Sequence, residues 1–381
     1  MRRVALGLVL AVAACGQRAE HDRPPPIAPP GATGSAASGA SGSAIATGLA
    51  PLPVLPPAPP LPPVPVALPS QPDRAPGERT AAVTPETVAL GALLFGDVRL
   101  SAGGATACAT CHDPEHGFSG PASSLAANGK PNLRHAPALV NLAWGLSYGW
   151  DGRYPTLLDQ LAAHVIGQLG RRGEPLVAGV AADPLVRAHF ARVDHGAAPS
   201  ALVALGALAA YVLTRYAGDS TWDRAERGSS AGAPDPTLAA GYQLFNGKAQ
   251  CSVCHTPPLY TDLGYHAIGL VRTPDEGRAR VDSDAPGAFR TPTLRDAALR
   301  TAFFHDGSAA TLEAAIAWHL AGGTGQGAAT SIIDPALAPV TLAPGELAAL
   351  TAFVRALSRD PQPPAPGATP APGSPVAPGS R

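Results

Sequence analysis

The chain has 381 residues, with 27 Lys and Arg set against 28 Asp and Glu for a formal net charge of −1. Without a net positive charge or a long basic run it lacks the electrostatic footprint of a nucleic-acid binder. Much of its 44 Pro and 42 Gly falls in stretches that cannot build a core, so domain arguments apply only to the body, about Val83 to Ser358, long enough for two domains.

Met1-Arg2-Arg3 followed by the apolar run Val4 to Ala14 reads as an export signal, too short to span a bilayer as a stable helix. Val12-Ala13-Ala14-Cys15 resembles a bacterial lipobox. Residues 1–15 are then a lipoprotein signal, Cys15 is the lipidated first residue of the mature chain, and the protein is held at the periplasmic side of a bacterial membrane. Ordinary cleavage after small residues is the alternative. Residues 16–82 are rich in Pro, Ala, Gly and Ser and cannot bury enough apolar area to fold, so they read as a disordered or polyproline-like tether. Such a tether spans roughly 50 Å as a flexible coil and about 200 Å if fully extended.

Thr84-Pro85-Glu86 signals a helix start, with Thr84 as N-cap and Pro85 at the first helical position. Cys108-Ala109-Thr110-Cys111-His112 and, later, Cys251-Ser252-Val253-Cys254-His255 are two complete C-x-x-C-H signatures for covalent c-type haem. In each, two thiols can form thioethers to the porphyrin and the adjacent His, His112 or His255, is placed to bind iron. A zinc site would need four converging ligands, and a disulfide has no use for the following His. Of the five cysteines one is thus an anchor and four are thioethers. Export agrees with haem attachment outside the cytoplasm, and two porphyrins would supply flat apolar bulk that an aromatic content of 5% leaves short.

Between the signatures, Thr156 to Leu169 reads as a helix on which Gln160, His164 and Gln168 fall at i, i+4 and i+8, one polar row on an otherwise apolar element. The row faces either solvent or a polar cavity. Leu202 to Tyr216 is an Ala- and Leu-rich helix closing a first domain, 83–220. Asp219 to Pro236 reads as the crossing loop, and Leu238 to Phe245 as a short helix opening a second domain, 235–358. Residues 359–381 return to the tether composition and read as a disordered tail. His116 reads as a surface residue and His266 as structural. On a helix beginning at Thr311, Leu312, Ile316, His319 and Leu320 share one apolar stripe, so His319 points inward. Met1 is the only methionine and leaves with the signal, so no His/Met haem can form in the mature chain.

Asn132-Leu133-Arg134-His135-Ala136-Pro137, Trp150-Asp151-Gly152-Arg153 with Gln160, Phe289-Arg290-Thr291-Pro292-Thr293-Leu294-Arg295 and Phe304-His305-Asp306-Gly307-Ser308 resemble the bacterial dihaem cytochrome c peroxidase family, which includes MauG. The resemblance covers the body and neither tail. It implies a mainly α fold of two cytochrome c-like domains, each with one covalently bound c-type haem. The first haem would react with hydrogen peroxide, the second would relay electrons from a small periplasmic cytochrome c or cupredoxin, and Trp150 would lie between them. It also implies Gln160 in the distal pocket and a second axial ligand at His319, with His305 as the other candidate.

The chain departs from the family at three places. The family's acid-base Glu is replaced by Gly170 or Gln168, which leaves His164 as either the distal base or a sixth ligand to the first iron. The second haem's Met or Tyr is replaced by His319. His135, Arg300 and Ala302 stand at positions of the family's calcium site, a poor set for a hard cation, so calcium is an uncertain cofactor. The reading is a dihaem c-type peroxidase. The alternatives are a MauG-like oxidase acting on a partner protein, or an electron-transfer cytochrome without turnover.

Overall fold

Thr84 caps the first helix as the sequence predicts: its hydroxyl accepts from the Thr87 amide while the Thr87 hydroxyl bonds back to the Thr84 amide, and Pro85 opens the helix where no amide donor is needed. The structure is a computed structural model and describes residues 52–71, 82–228, 235–270, 275–323 and 333–360. The signal, Cys15, most of the tether and all but the first two residues of the tail lie outside the described residues.

In chain order the helices are α1 (Pro85–Phe95), α2 (Cys108–Cys111), α3 (Leu157–His164), α4 (Pro175–Ala178), α5 (Pro184–Val193), α6 (Ala201–Leu213), α7 (Thr221–Glu226), α8 (Pro236–Asn246), α9 (Leu312–Leu320) and α10 (Pro344–Ala356). Two short strands, β1 (Tyr265–His266) and β2 (Phe289–Arg290), pair antiparallel with Tyr265 opposite Arg290. The molecule is therefore helix-rich, as expected.

Buried apolar side chains gather into two clusters, one spanning Leu68 to Ala217 and one spanning Trp222 to Leu357. The two are built alike. The helix leading into each C-x-x-C-H segment presses on a later helix, α1 on α6 and α8 on α10. A glycine makes each approach possible: a Cβ on Gly91 would sit 2.0 Å from the Ala207 carbonyl oxygen, and one on Gly241 would sit 2.1 Å from that of Ala349. All of this belongs to one compact unit, Ala50–Arg381.

Three departures from the sequence reading have physical causes. Residues 52–71, read as part of a free tether, lie against the first half without regular secondary structure. Leu68 joins the first cluster, Arg192 donates to the carbonyls of Pro56 (2.5 Å) and Leu55 (2.7 Å), and the Trp144 indole donates to Ser70 O at 3.3 Å. Prolines give up their own donors but keep their carbonyls, which an arginine can hold. The helix from Thr156 stays α only to His164, and Val165–Leu169 forms a π turn that takes Gln168 off the polar row. Within the crossing segment, α7 is fixed by a capping box between Ser220 and Asp223.

Asp223 also makes the most deeply buried ion pair, accepting from Arg295 Nη1 at 2.7 Å and Nη2 at 3.1 Å, with both side chains at most 2% exposed. Removing the carboxylate leaves a guanidinium buried without its counter-charge, so Asp223→Ala should lower unfolding free energy by about 3–5 kcal/mol in a denaturant titration.

Candidate haem clefts

Each C-x-x-C-H segment borders a deep apolar cleft. The first holds about 1210 Å³ unfilled by protein atoms and is lined by Phe95, Cys108, His112, Leu157, Leu161, Leu208 and Val212 among others. The second, about 1470 Å³, is lined by Cys251, Cys254, His255, Phe245, Leu312, Ile316 and Leu350 among others. None of the four cysteines is paired as a disulfide. Cys111 lies at the end of α2.

The imidazoles define the geometry. His112 Nδ1 lies 3.1 Å from Phe118 O and 3.0 Å from Pro137 O, and His255 Nδ1 lies 3.2 Å from Tyr260 O. Those partners only accept, so Nδ1 carries the proton and Nε2 is left as a free donor pair, the arrangement a metal-binding imidazole requires. Both loops use a residue other than glycine in the left-handed region to turn the carbonyl inward, Phe118 at φ 55° and Tyr260 at φ 53°.

Opposite each lies a second imidazole. His319, on α9, donates from Nδ1 to Ala315 O at 2.8 Å, and its ring centre is 6.2 Å from that of His255. His164, at the end of α3, has its ring centre 6.0 Å from that of His112. Two imidazoles bound to one metal ion through nitrogens at ~2.0 Å have ring centres about 6 Å apart, so both pairs are spaced to share an ion between them. Burial lowers the pKa of His112, His164 and His255 to about 4 and lowers that of His319 as well, with the facing imidazole adding to the effect at His112 and His255. All four are neutral at pH 7, the protonation state that binds metal.

Gln160 lines the first cleft and its buried Oε1 has no hydrogen-bond partner. Neither Gln168 nor Gly170 lines it, and among the described residues no carboxylate does. Trp150, Arg290, Thr291 and Pro292 line both clefts and form the wall between them. That wall is fixed from both halves: the Trp150 indole donates to His135 O (2.8 Å), the Arg290 amide donates to Trp150 O (2.7 Å), and Arg290 Nη1 donates to Ser147 O (2.8 Å). Behind it, Asp151 binds Arg134 and Arg153, and Arg134 clasps Asp275 at 2.6 and 2.7 Å.

Arg290 stands inside one of the family-like motifs, but the sequence gives it no role, because one arginine on a two-residue strand carries no periodic signal. Burial lowers its pKa, and no carboxylate pairs with it among the described residues. Carboxylates belonging to a bound group would meet that need. Paired neutral imidazoles, thiols at the cleft walls and an uncompensated buried guanidinium together suit a propionate-bearing porphyrin in each cleft.

The other candidate imidazoles are engaged by protein groups. His305 lines the second cleft but is stacked flat on Phe289, with ring centres 3.5 Å apart. His116 bonds Asp113 at the surface. His266 is held between Asp334 (2.6 Å) and Asp262 (2.8 Å), and the Cys254 thiol followed by these two carboxylates raises its pKa. Cys254, Asp262 and His266 could be taken for a metal cluster, but Cys254 belongs to the thioether pair. His135 Nε2 donates to Gly120 O at 2.8 Å, and Arg300 Nη2 donates to the carbonyls of Thr293 and Arg295. An N–H donor and a guanidinium do not suit a calcium ion, which takes oxygen ligands.

This geometry defines a protein with two clefts, each bordered by a C-x-x-C-H segment, that share one wall. A model of the di-haem cytochrome c peroxidase family matches residues 85–231. Methylamine utilization protein MauG of Methylorubrum extorquens is 31% identical over 299 residues, 76% of this chain and 83% of that protein. Cytochrome-c peroxidase IdrP1 of Denitromonas iodatirespirans is 32% identical over 315 residues, 72% of this chain and 82% of that protein. A solved MauG-like protein associated with microbial copper homeostasis superposes with a TM-score of 0.66 at 26% identity, over 77% of this chain and 95% of that one. The chain belongs to the di-haem cytochrome c peroxidase and MauG family, and is an oxidoreductase of the cytochrome-c peroxidase type.

Proposed function

We propose that the protein reduces hydrogen peroxide in the first cleft, using electrons that enter at the second from a small periplasmic cytochrome c or cupredoxin. The observation that carries this reading is the shared wall: Trp150 and Arg290 border both clefts, so charge can cross between them through one indole. Cys108, Cys111 and His112 would hold one haem, and Cys251, Cys254, His255 and His319 the other. The haems supply the redox-active iron.

The chain's own residues bind, orient and protonate. Leu157, Leu161 and Val212 keep the first cleft apolar, while Gln160 offers its amide to a polar guest. With no carboxylate at hand, His164 is the group that can take and return a proton there once it is free of the iron. Cys15 would tether the enzyme to the membrane on the periplasmic side.

A second reading, MauG-like oxidation of a partner protein, is favoured by His319. Without methionine the second centre would have a lower potential than a His/Met haem, and the Methylorubrum relative is itself a MauG. Adding one equivalent of hydrogen peroxide to the oxidised and to the half-reduced protein, followed by visible and magnetic-resonance spectra, tests both readings. Peroxide consumed with spectral change at the first haem is expected. A first haem that stays six-coordinate in both redox states and leaves peroxide untouched would identify an electron-transfer cytochrome instead.

A further inference from the structure

The proximal loops of the two clefts are built alike but carry different side chains. The residue whose carbonyl accepts from the iron-side histidine is Phe118 in the first half and Tyr260 in the second. Behind Phe118 the rings are Phe95 and Tyr211. Behind Tyr260 stands a longer series. Phe353 lies 6.2 Å from Tyr260, Trp222 lies 5.0 Å from Phe353 at 86°, and Tyr242 stacks on Trp222 at 4.8 Å and 28°, all between ring centres. These separations fall in the range of direct aromatic contact. Tyr260, Phe353 and Trp222 are each at most 3% exposed, whereas Tyr242 is partly open to solvent.

From this series we propose that Trp222 is a redox-active residue set behind the second haem cleft, reached through Tyr260 and Phe353 and opening to the surface at Tyr242. The inference rests on the peroxidase reading above and adds a second outlet for oxidising equivalents besides Trp150. A phenol must shed its proton to be oxidised at a moderate potential, and Tyr260 is 2% exposed, away from the water that would take it. Phenylalanine has no such chemistry at all. An indole can lose an electron and keep its N–H, and Trp222 Nε1 is buried with no hydrogen-bond partner to take the proton. The oxidising equivalent therefore rests on Trp222 as a cation radical.

The balance is simple. Hydrogen peroxide takes two electrons and two protons and leaves as two waters; one of those electrons would come from the Trp222 ring, with no bond broken there, the other from a haem iron, and the protons from solvent. A donor protein too large to enter either cleft restores that electron across Tyr242.

The test uses the full chain with both haems attached, one equivalent of hydrogen peroxide and no electron donor, frozen within milliseconds. Electron paramagnetic resonance is expected to show an organic radical whose hyperfine pattern narrows when the protein is made with ring-deuterated tryptophan, and which is lost in Trp222→Phe but kept in Trp144→Phe, a tryptophan of the first cluster away from the shared wall. Because Trp222→Phe alters a buried cluster, a second measurement uses the unsubstituted protein: repeated peroxide additions should place oxygen on Trp222, read by peptide mass spectrometry. A haem spectrum that responds to peroxide while Trp222 stays unmodified, or a radical that survives in Trp222→Phe, overturns the relay and leaves the peroxidase reading standing. No reaction with peroxide at either haem overturns both.

Discussion

His319→Gly is expected to convert the second haem from low-spin to high-spin. The ring that faces His255 at 6.2 Å is removed, and no methionine exists in the chain body to take its place. Of the other imidazoles lining that cleft, His266 has both nitrogens held by Asp262 and Asp334, and His305 is stacked flat on Phe289 and would have to leave that contact to bind. Loss of a neutral nitrogen donor removes support for the ferric state, so the potential of this centre should rise by on the order of 0.1 V. Peroxide turnover with an external donor should fall by at least about tenfold, because entry of electrons is disturbed while the first cleft is untouched. His319→Met gives the complementary result: a low-spin centre restored, with a potential above that of the unsubstituted protein. Magnetic resonance together with a spectroelectrochemical titration reads both. A second haem that remains low-spin at unchanged potential in His319→Gly would remove His319 as its ligand.

The case of His319 also shows what a sequence can carry. An imidazole on the apolar stripe of a helix must point inward, and the absence of methionine makes its role chemical rather than merely structural. The two C-x-x-C-H segments, the Thr84 cap and the helix-rich fold are legible for a similar reason: each depends on residues within one or two turns of one another. Arg290 is not, because its place in the wall is set by Trp150 and Ser147, more than a hundred residues earlier. Nor is the docking of residues 52–71. Their composition forbids a core of their own, but composition does not say that Arg192 and Trp144 will hold their carbonyls from outside. The π turn after His164 escapes any period-based reading, since one extra residue in a turn leaves the apolar pattern nearly unchanged.

That turn bears on the second large prediction, His164→Ala. The sequence leaves two roles open for His164, a proton-transferring base and a ligand to the first iron, and they predict opposite results. The ring lies 6.0 Å from that of His112, within 0.2 Å of the spacing of the His255 and His319 pair, and burial keeps it neutral. The resting role supported by this spacing is that of ligand. On that basis His164→Ala should turn a low-spin first haem high-spin and speed the first encounter with hydrogen peroxide by at least about tenfold, the equivalent of about 1.4 kcal/mol no longer spent on displacing the imidazole. Were His164 only a base, the same substitution would leave the spin state alone and slow the reaction by roughly 10²–10⁴-fold. Stopped-flow mixing with peroxide, read beside the spin state of the resting protein, separates the two. The π turn fits the ligand role: Val165–Leu169 directly follows His164 and is a wider, rarer coil than the α3 turns before it, so the end of α3 is where a small shift of backbone can carry the imidazole away from the iron. Gln160, one turn earlier on the regular part of α3, would stay in place and keep its unpartnered Oε1 toward whatever enters.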